Sequence, residues 1–132
     1  MKNIKFRIWD KRENRMNYLR KFMVLHNGYA LGFVKDKEIY IDDYESENEQ
    51  DLYEVMEFTG LYDRSGKEIY EGDIVDNPND EFTYVIMWNK DDARFTLGVG
   101  GHDLSSYRLP DFWEVIGNIY ENPNLLTKKD GH

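Results

Sequence analysis

The stretch from Gly60 to Val75, GLYDRSGKEIYEGDIV, constrains the fold more than any other part of the chain. Within sixteen residues it sets two glycine-bearing turns around a short run of strand-forming side chains. Asp63-Arg64-Ser65-Gly66 has turn composition, with its glycine placed for a left-handed backbone, and Lys67 to Tyr70 resumes extended structure. Glu71-Gly72-Asp73 punctuates the chain again before Ile74-Val75, its glycine allowing a sharp bend and its aspartate able to bond nearby backbone amides. The stretch reads as a folding signature of a β structure rather than as a catalytic motif.

The rest of the chain extends that reading. Phe6 to Trp9 alternates with the two-residue period of a half-buried strand, and Asp10 to Asn14 turns it. Phe22 to Leu25 and Tyr29 to Val34 flank His26-Asn27-Gly28, an Asn-Gly hairpin turn, and Asp36-Lys37 turns into Glu38 to Ile41. Tyr53 to Thr59 fits both a helical face and a strand. We assign a strand, because it leads directly into a turn. Asp76 to Asp80 is a proline-bearing polar loop, and Phe82 to Trp88 is apolar enough for a central strand covered on both faces. Asn89 to Asp92 turns back into Arg94 to Val99, and Gly100-Gly101 ends that strand. Phe112 to Tyr120 is the last strand, with Gly117 marking a bulge or close backbone approach and Asn118 able to bond a neighbouring loop. Asn122 before Pro123 predicts a helix cap that lets Leu125 and Leu126 dock, while Thr127 to His132 frays. Short strands at roughly 8–12-residue spacing predict a small barrel or sandwich.

Composition limits the function classes. The 132 residues fit one domain, and the ten Tyr, seven Phe and three Trp favour strands and filled cores. The absence of cysteine removes disulfides, thiolate zinc sites and cysteine nucleophiles. No apolar run has the length of a signal peptide or a membrane span, which leads us to expect a cytoplasmic protein without membrane association. A net charge of −9 argues against general phosphate-backbone binding. Lys2, Lys5, Arg7, Lys11, Arg12, Arg15, Arg20 and Lys21 nevertheless face only Asp10 and Glu13 in the first 22 residues, enough for a local basic face. Asp42 to Glu57 is the acidic pole, without a single base, and reads as a solvated loop.

Candidate chemistry is thin. Asp43, Glu45, Glu47, Asp51 and Glu54 can be laid on a calcium loop, but Asn48 replaces the glycine of its sharp turn, Gln50 replaces the usual apolar residue, and flanking helices are missing. His26, His102 and His132 are too scattered for a metal site. His102 with Asp103, Ser105 and Ser106 supplies a base, an orienting carboxylate and hydroxyls, yet adjacent residues of one loop seldom converge as a triad does. Gly98, Gly100 and Gly101 lack the lysine-serine pair and helix of a phosphate loop. Phe82, Tyr84, Trp88, Phe95, Phe112 and Trp113 could stack bases, but they share strands with Val, Ile and Met and read as core. We therefore assign no catalytic, cofactor-binding or metal residue, expect no cofactor, and read the chain as no enzyme.

Three ordered blocks carry a family resemblance: Phe6-Arg7 and Trp9-Asp10 followed by Met16; Thr59-Gly60-Leu61, Asp63, Gly66-Lys67, Ile69 to Asp73 and Val75; and Glu114 to Pro123 leading to Leu125-Leu126. In these the chain resembles the YopX family of small bacteriophage and prophage proteins over essentially its whole length. Tyr62, Arg64 and the acidic stretch before them depart from the pattern. The resemblance implies a mainly β structure and a phage or prophage origin, and it implies no enzymatic activity or functional residue. We expect a mainly β fold, with a small SH3-like or compact β-barrel over residues 53–126, an N-terminal β subdomain and acidic loop over 1–52 packed against it, and a flexible tail over 127–132. The expected role is a non-enzymatic interaction protein that binds a protein partner or self-associates. The alternative is a nucleic-acid-linked accessory protein, with the basic N-terminal face on DNA or RNA or the acidic surface mimicking DNA.

Overall fold

The computed structural model describes residues 4–24, 30–34, 37–41, 52–91, 93–98, 102–103 and 113–126. The described elements are β-strands and a short 3-10 helix, and every strand pair is antiparallel. The chain divides into two compact units, Met1–Glu57 and Phe58–His132.

In the N-terminal unit β1 (Phe6–Asp10) forms a hairpin with β2 (Arg15–Tyr18). Asp10 shapes the turn between them: its Oδ1 accepts the amides of Arg12 at 2.9 Å and Glu13 at 3.3 Å. Strand β2 went unforeseen, since Arg15-Met16-Asn17-Tyr18 is too polar and too short to stand out by alternation. On its other side β1 pairs with the first half of β6 (Tyr53–Tyr62), setting Ile8 opposite Val55 and Arg7 opposite Met56. Ile8, Trp9 and Met56 are buried. Strands β3 (Lys21–Val24), β4 (Ala30–Val34) and β5 (Lys37–Ile41) form a separate meander. This matches the expected hairpin, although Asn27-Gly28 lies outside the described residues and Lys37 belongs to β5 rather than to a turn.

The C-terminal unit begins with the second half of β6, which pairs with β7 (Glu68–Tyr70) through a register shift between Phe58 and Tyr62. Strand β6 runs past the expected end at Thr59 because the shift lets it accommodate Gly60 without stopping. Thr59 bridges the irregularity: its hydroxyl donates to the Ile69 carbonyl at 2.7 Å and accepts the Leu61 amide at 3.1 Å. A five-stranded sheet follows. Its strands are β8 (Asp73–Asp76), β9 (Thr83–Asn89), β10 (Arg94–Gly98), β11 (His102–Asp103) and β12 (Glu114–Asn118), in the order β11-β10-β9-β8-β12.

Strand β9 is central, as its apolar run predicts, and Thr83, Tyr84, Val85 and Ile86 are all buried. Met87 and Trp88 emerge into solvent, so the double coverage stops partway along the strand. Alternation places Tyr84, Ile86 and Trp88 on one face of β9. Ile69, Val75, Tyr84, Ile86, Leu97, Trp113 and Val115 form the core, with Phe82 and Phe95 packed against them. Burying each such side chain contributes about 1.5–3 kcal/mol, and the edge-to-face contact of Tyr84 with Trp113, at 5.5 Å, adds a directional component.

The last strand is shorter than Phe112 to Tyr120, because the chain turns at Ile119. The bulge expected at Gly117 is present: the register against β8 shifts between Val115 and Gly117. The predicted terminal cap is not. Pro123 does open a 3-10 helix, Pro123–Leu125, but Asn122 makes no side-chain cap bond to it. Its Oδ1 accepts the Asn118 amide at 3.2 Å instead, which commits it to the end of β12.

Candidate functional site

The side chain that gathers most of the surrounding structure is Asp63. Strand β6 delivers it to the first turn of the Gly60 to Val75 signature, where Gly66 takes φ +86° and lets the backbone fold back. The Gly66 amide then reaches the Asp63 carbonyl at 2.9 Å, closing the turn. The carboxylate is 1% exposed. Its Oδ1 accepts the amides of Ser65 at 2.9 Å and Lys67 at 2.8 Å, and its Oδ2 accepts the amide of Val115 in β12 at 2.9 Å. Arg64 reinforces the bridge by donating its amide to the Trp113 carbonyl at 2.9 Å. Burial pushes this carboxyl's pKa up, but the three amides and the nearby Lys67 ammonium outweigh burial and hold it below the ordinary aspartate value.

The second turn uses the same device. Gly72 has φ +89°, and Asp73 accepts the Tyr70 amide at 2.7 Å. Asn118, as its position suggested, organises the turn after β12: its Oδ1 accepts the amides of Tyr120 and Glu121, and its Nδ2 donates to Glu121 at 2.8 Å. The carboxylates of Asp63 and Asp73 and the side-chain oxygen of Asn118 are thus acceptors for backbone donors. A turn such as Asp63-Arg64-Ser65-Gly66 announces an aspartate bonded to its own loop. Nothing local announces that its second oxygen holds Val115, 52 residues away.

The other sequence candidates are dispersed. The calcium register lies outside the described residues apart from Glu54, whose carboxylate is 2.9 Å from the Lys11 ammonium. His26, His132, Ser105 and Ser106 also lie outside them, while His102 and Asp103 are paired into β11 opposite Leu97 and Thr96. Among the described residues no group of three or more His, Asp or Glu is arranged to hold a metal ion. The basic N-terminal stretch is thinned by its own fold. Arg7 is 2% exposed, with its guanidinium against the Tyr18 ring, and Lys11, Arg12 and Arg15 lie within ion-pair distance of Glu54, Asp10 and Glu13. Arg12 also donates to the Tyr53 hydroxyl at 3.1 Å.

The aromatic set divides. Tyr84 and Trp113 are core, Phe82 and Phe95 pack on it, and Phe112 lies outside the described residues. Trp88 is different. It sits opposite Phe95 where β9 and β10 leave the core, and the two rings meet edge to face at 4.9 Å. Trp88 stays 43% exposed and its neighbour Met87 49% exposed. An indole held by an aromatic partner yet open to water offers a rigid apolar surface with little entropy left to lose on contact.

Comparison with known proteins adds a lineage. A family model described as "YopX protein" matches residues 5–127. The crystal structure of protein EF1440 from Enterococcus faecalis is similar over 96% of this chain and 100% of its own, with 28% identity and a TM-score of 0.59. Protein yopX from Bacillus subtilis is similar in fold over 96% of this chain and 98% of its own, with 23% identity and a TM-score of 0.59. No curated protein matches the chain significantly.

Proposed function

Given that the chain belongs to the YopX family, with residues 5–127 matched, we propose that it is a non-enzymatic interaction protein of phage or prophage origin that binds a protein partner or a second copy of itself. The observation that carries this reading is the Trp88 surface. Tryptophan is enriched in interface cores, and Trp88 stands exposed on the face of β9 that carries Tyr84 and Ile86, where that strand leaves the core. Asp63, Asp73 and Asp10, the buried carboxylates best suited to acid–base work, each hold backbone amides, which favours a structural over a chemical role. We read the C-terminal unit as a small SH3-like barrel in which the turn at Asp63 and strand β12 act as the closing pair. We place the protein in the cytoplasm of a bacterial host.

Size-exclusion chromatography with light scattering, followed by retention from a bacterial extract, tests the reading. The expected result is self-association or one specifically retained protein, lost in Trp88→Ser. A strict monomer that retains nothing specific overturns it.

A further inference from the structure

The geometry points to a second docking surface, in the N-terminal unit, for an acidic polypeptide segment carrying apolar side chains. It lies where the β1–β2 hairpin passes into β3. The Leu19 amide donates to the Phe6 carbonyl at 3.0 Å, which sets the chain at Ile4-Lys5 beside Leu19-Arg20, and the Arg20 amide donates to the Phe33 carbonyl at 2.8 Å, fixing the start of β3. Three large apolar side chains are exposed here, Ile4 at 66%, Tyr18 at 53% and Met23 at 46%. Lys21 and Met23, two residues apart in β3, share one face.

Among the described residues the cations at this place are Lys5, Arg20 and Lys21, and the half-buried Glu57 is in register with Phe6. At the opposite end of the hairpin every cation has a carboxylate within ion-pair distance. Among the described residues no carboxylate stands at that distance from Arg20 or Lys21. A locally basic, apolar-studded surface is complementary to a segment in which carboxylates alternate with apolar groups. Tyr18 is pre-set for contact, because the Arg7 guanidinium lies 5.9 Å from its ring centroid and donates to its hydroxyl at 3.4 Å. Nucleic acid is the poorer occupant. Tyr18 could stack a base, but Ile4 and Met23 have no counterpart on a phosphate backbone.

Fluorescence anisotropy with the full chain tests this. The probes are a short labelled peptide of Glu and Leu, the same peptide with Gln for every Glu, and labelled single-stranded DNA. The Glu-Leu peptide is expected to bind, to weaken with added salt, and to lose about tenfold or more in affinity to Arg20→Glu with Lys21→Glu. Tyr18→Ser with Met23→Ser is expected to weaken it as well, whereas Arg20→Lys with Lys21→Arg retains it and Trp88→Ser leaves it unchanged. Thermal melts establish that each variant is folded. Equal binding of the Gln peptide, indifference to charge reversal in a folded variant, or tighter binding of the DNA than of the peptide would overturn the proposal. None of these results touches the Trp88 surface, so the two readings fail separately.

Discussion

Replacing Asp63 by Asn is the sharpest perturbation of the C-terminal unit. The side chains have the same shape, and one oxygen can still accept the Ser65 and Lys67 amides. The second oxygen becomes an NH2 group that faces the Val115 amide, so two donors meet where a donor met an acceptor. Leaving a buried amide without an acceptor costs about 1–3 kcal/mol, and losing the charge on the other two bonds adds to it, so the expected destabilisation is roughly 2–4 kcal/mol. For a chain of this length that corresponds to a fall in Tm on the order of 10 °C. The pH dependence is more discriminating still. Because the folded-state pKa of Asp63 is depressed, its stabilisation is fully present above the unfolded-state value, about 4, and is lost as pH falls through the folded value. The difference between wild type and Asp63→Asn is therefore full at neutral pH and narrows in acid. Urea unfolding followed by the fluorescence of buried Trp113 at both pH values measures it. A variant as stable as wild type at neutral pH, or a gap that does not change in acid, refutes the account of Asp63 as a charged clasp.

Gly72→Val should destabilise by roughly 1–2 kcal/mol in a thermal melt, since a β-branched residue is strained at φ +89°. Gly117→Val should cost about 1 kcal/mol or more by calorimetry, because a Cβ there would lie 2.5 Å from Asn122 Oδ1 and would displace the acceptor of the Asn118 amide. Unchanged melting temperatures for both would contradict the structural role of the two glycines. Thr83→Val should lose about 1 kcal/mol and speed hydrogen exchange near the C-terminus, as the Thr83 hydroxyl donates to the Leu125 carbonyl at 2.6 Å. Calorimetric titration with calcium is expected to give no heat, since Glu54, the last ligand of the hypothetical loop, already pairs with Lys11; a saturable heat would restore the calcium reading.

Much of the fold was legible because the relevant signals are local. The glycines and aspartates of the Gly60 to Val75 stretch specify backbone angles within three or four residues, and the apolar run at Thr83 to Ile86 announces a strand with little exposure. Strand β2 was not legible, since its pairing is imposed by the Asp10 turn and by β1 rather than by its own pattern. Asn122 illustrates a different limit. Asn before Pro is a sound cap signal, but a neighbouring amide at the end of β12 competes for the same oxygen and wins. The interaction surfaces were the least legible. Whether Trp88 is core or surface depends on where the sheet's cover ends, and whether eight N-terminal cations make a basic face depends on which of them the fold buries or pairs, as it does Arg7 and Lys11.

Strand β12 is the boundary of its sheet, the position at which another chain could add itself by backbone pairing. Two of its amides, at Val115 and Asn118, are already occupied by Asp63 and Asn122. An incoming strand would meet a carboxylate and a carboxamide in place of open donors, and displacing the first would leave a buried negative charge to be rehoused. The clasp therefore does for this sheet what a gatekeeper residue does for an aggregation-prone segment. At that boundary it leaves recognition to side-chain surfaces rather than to strand exchange.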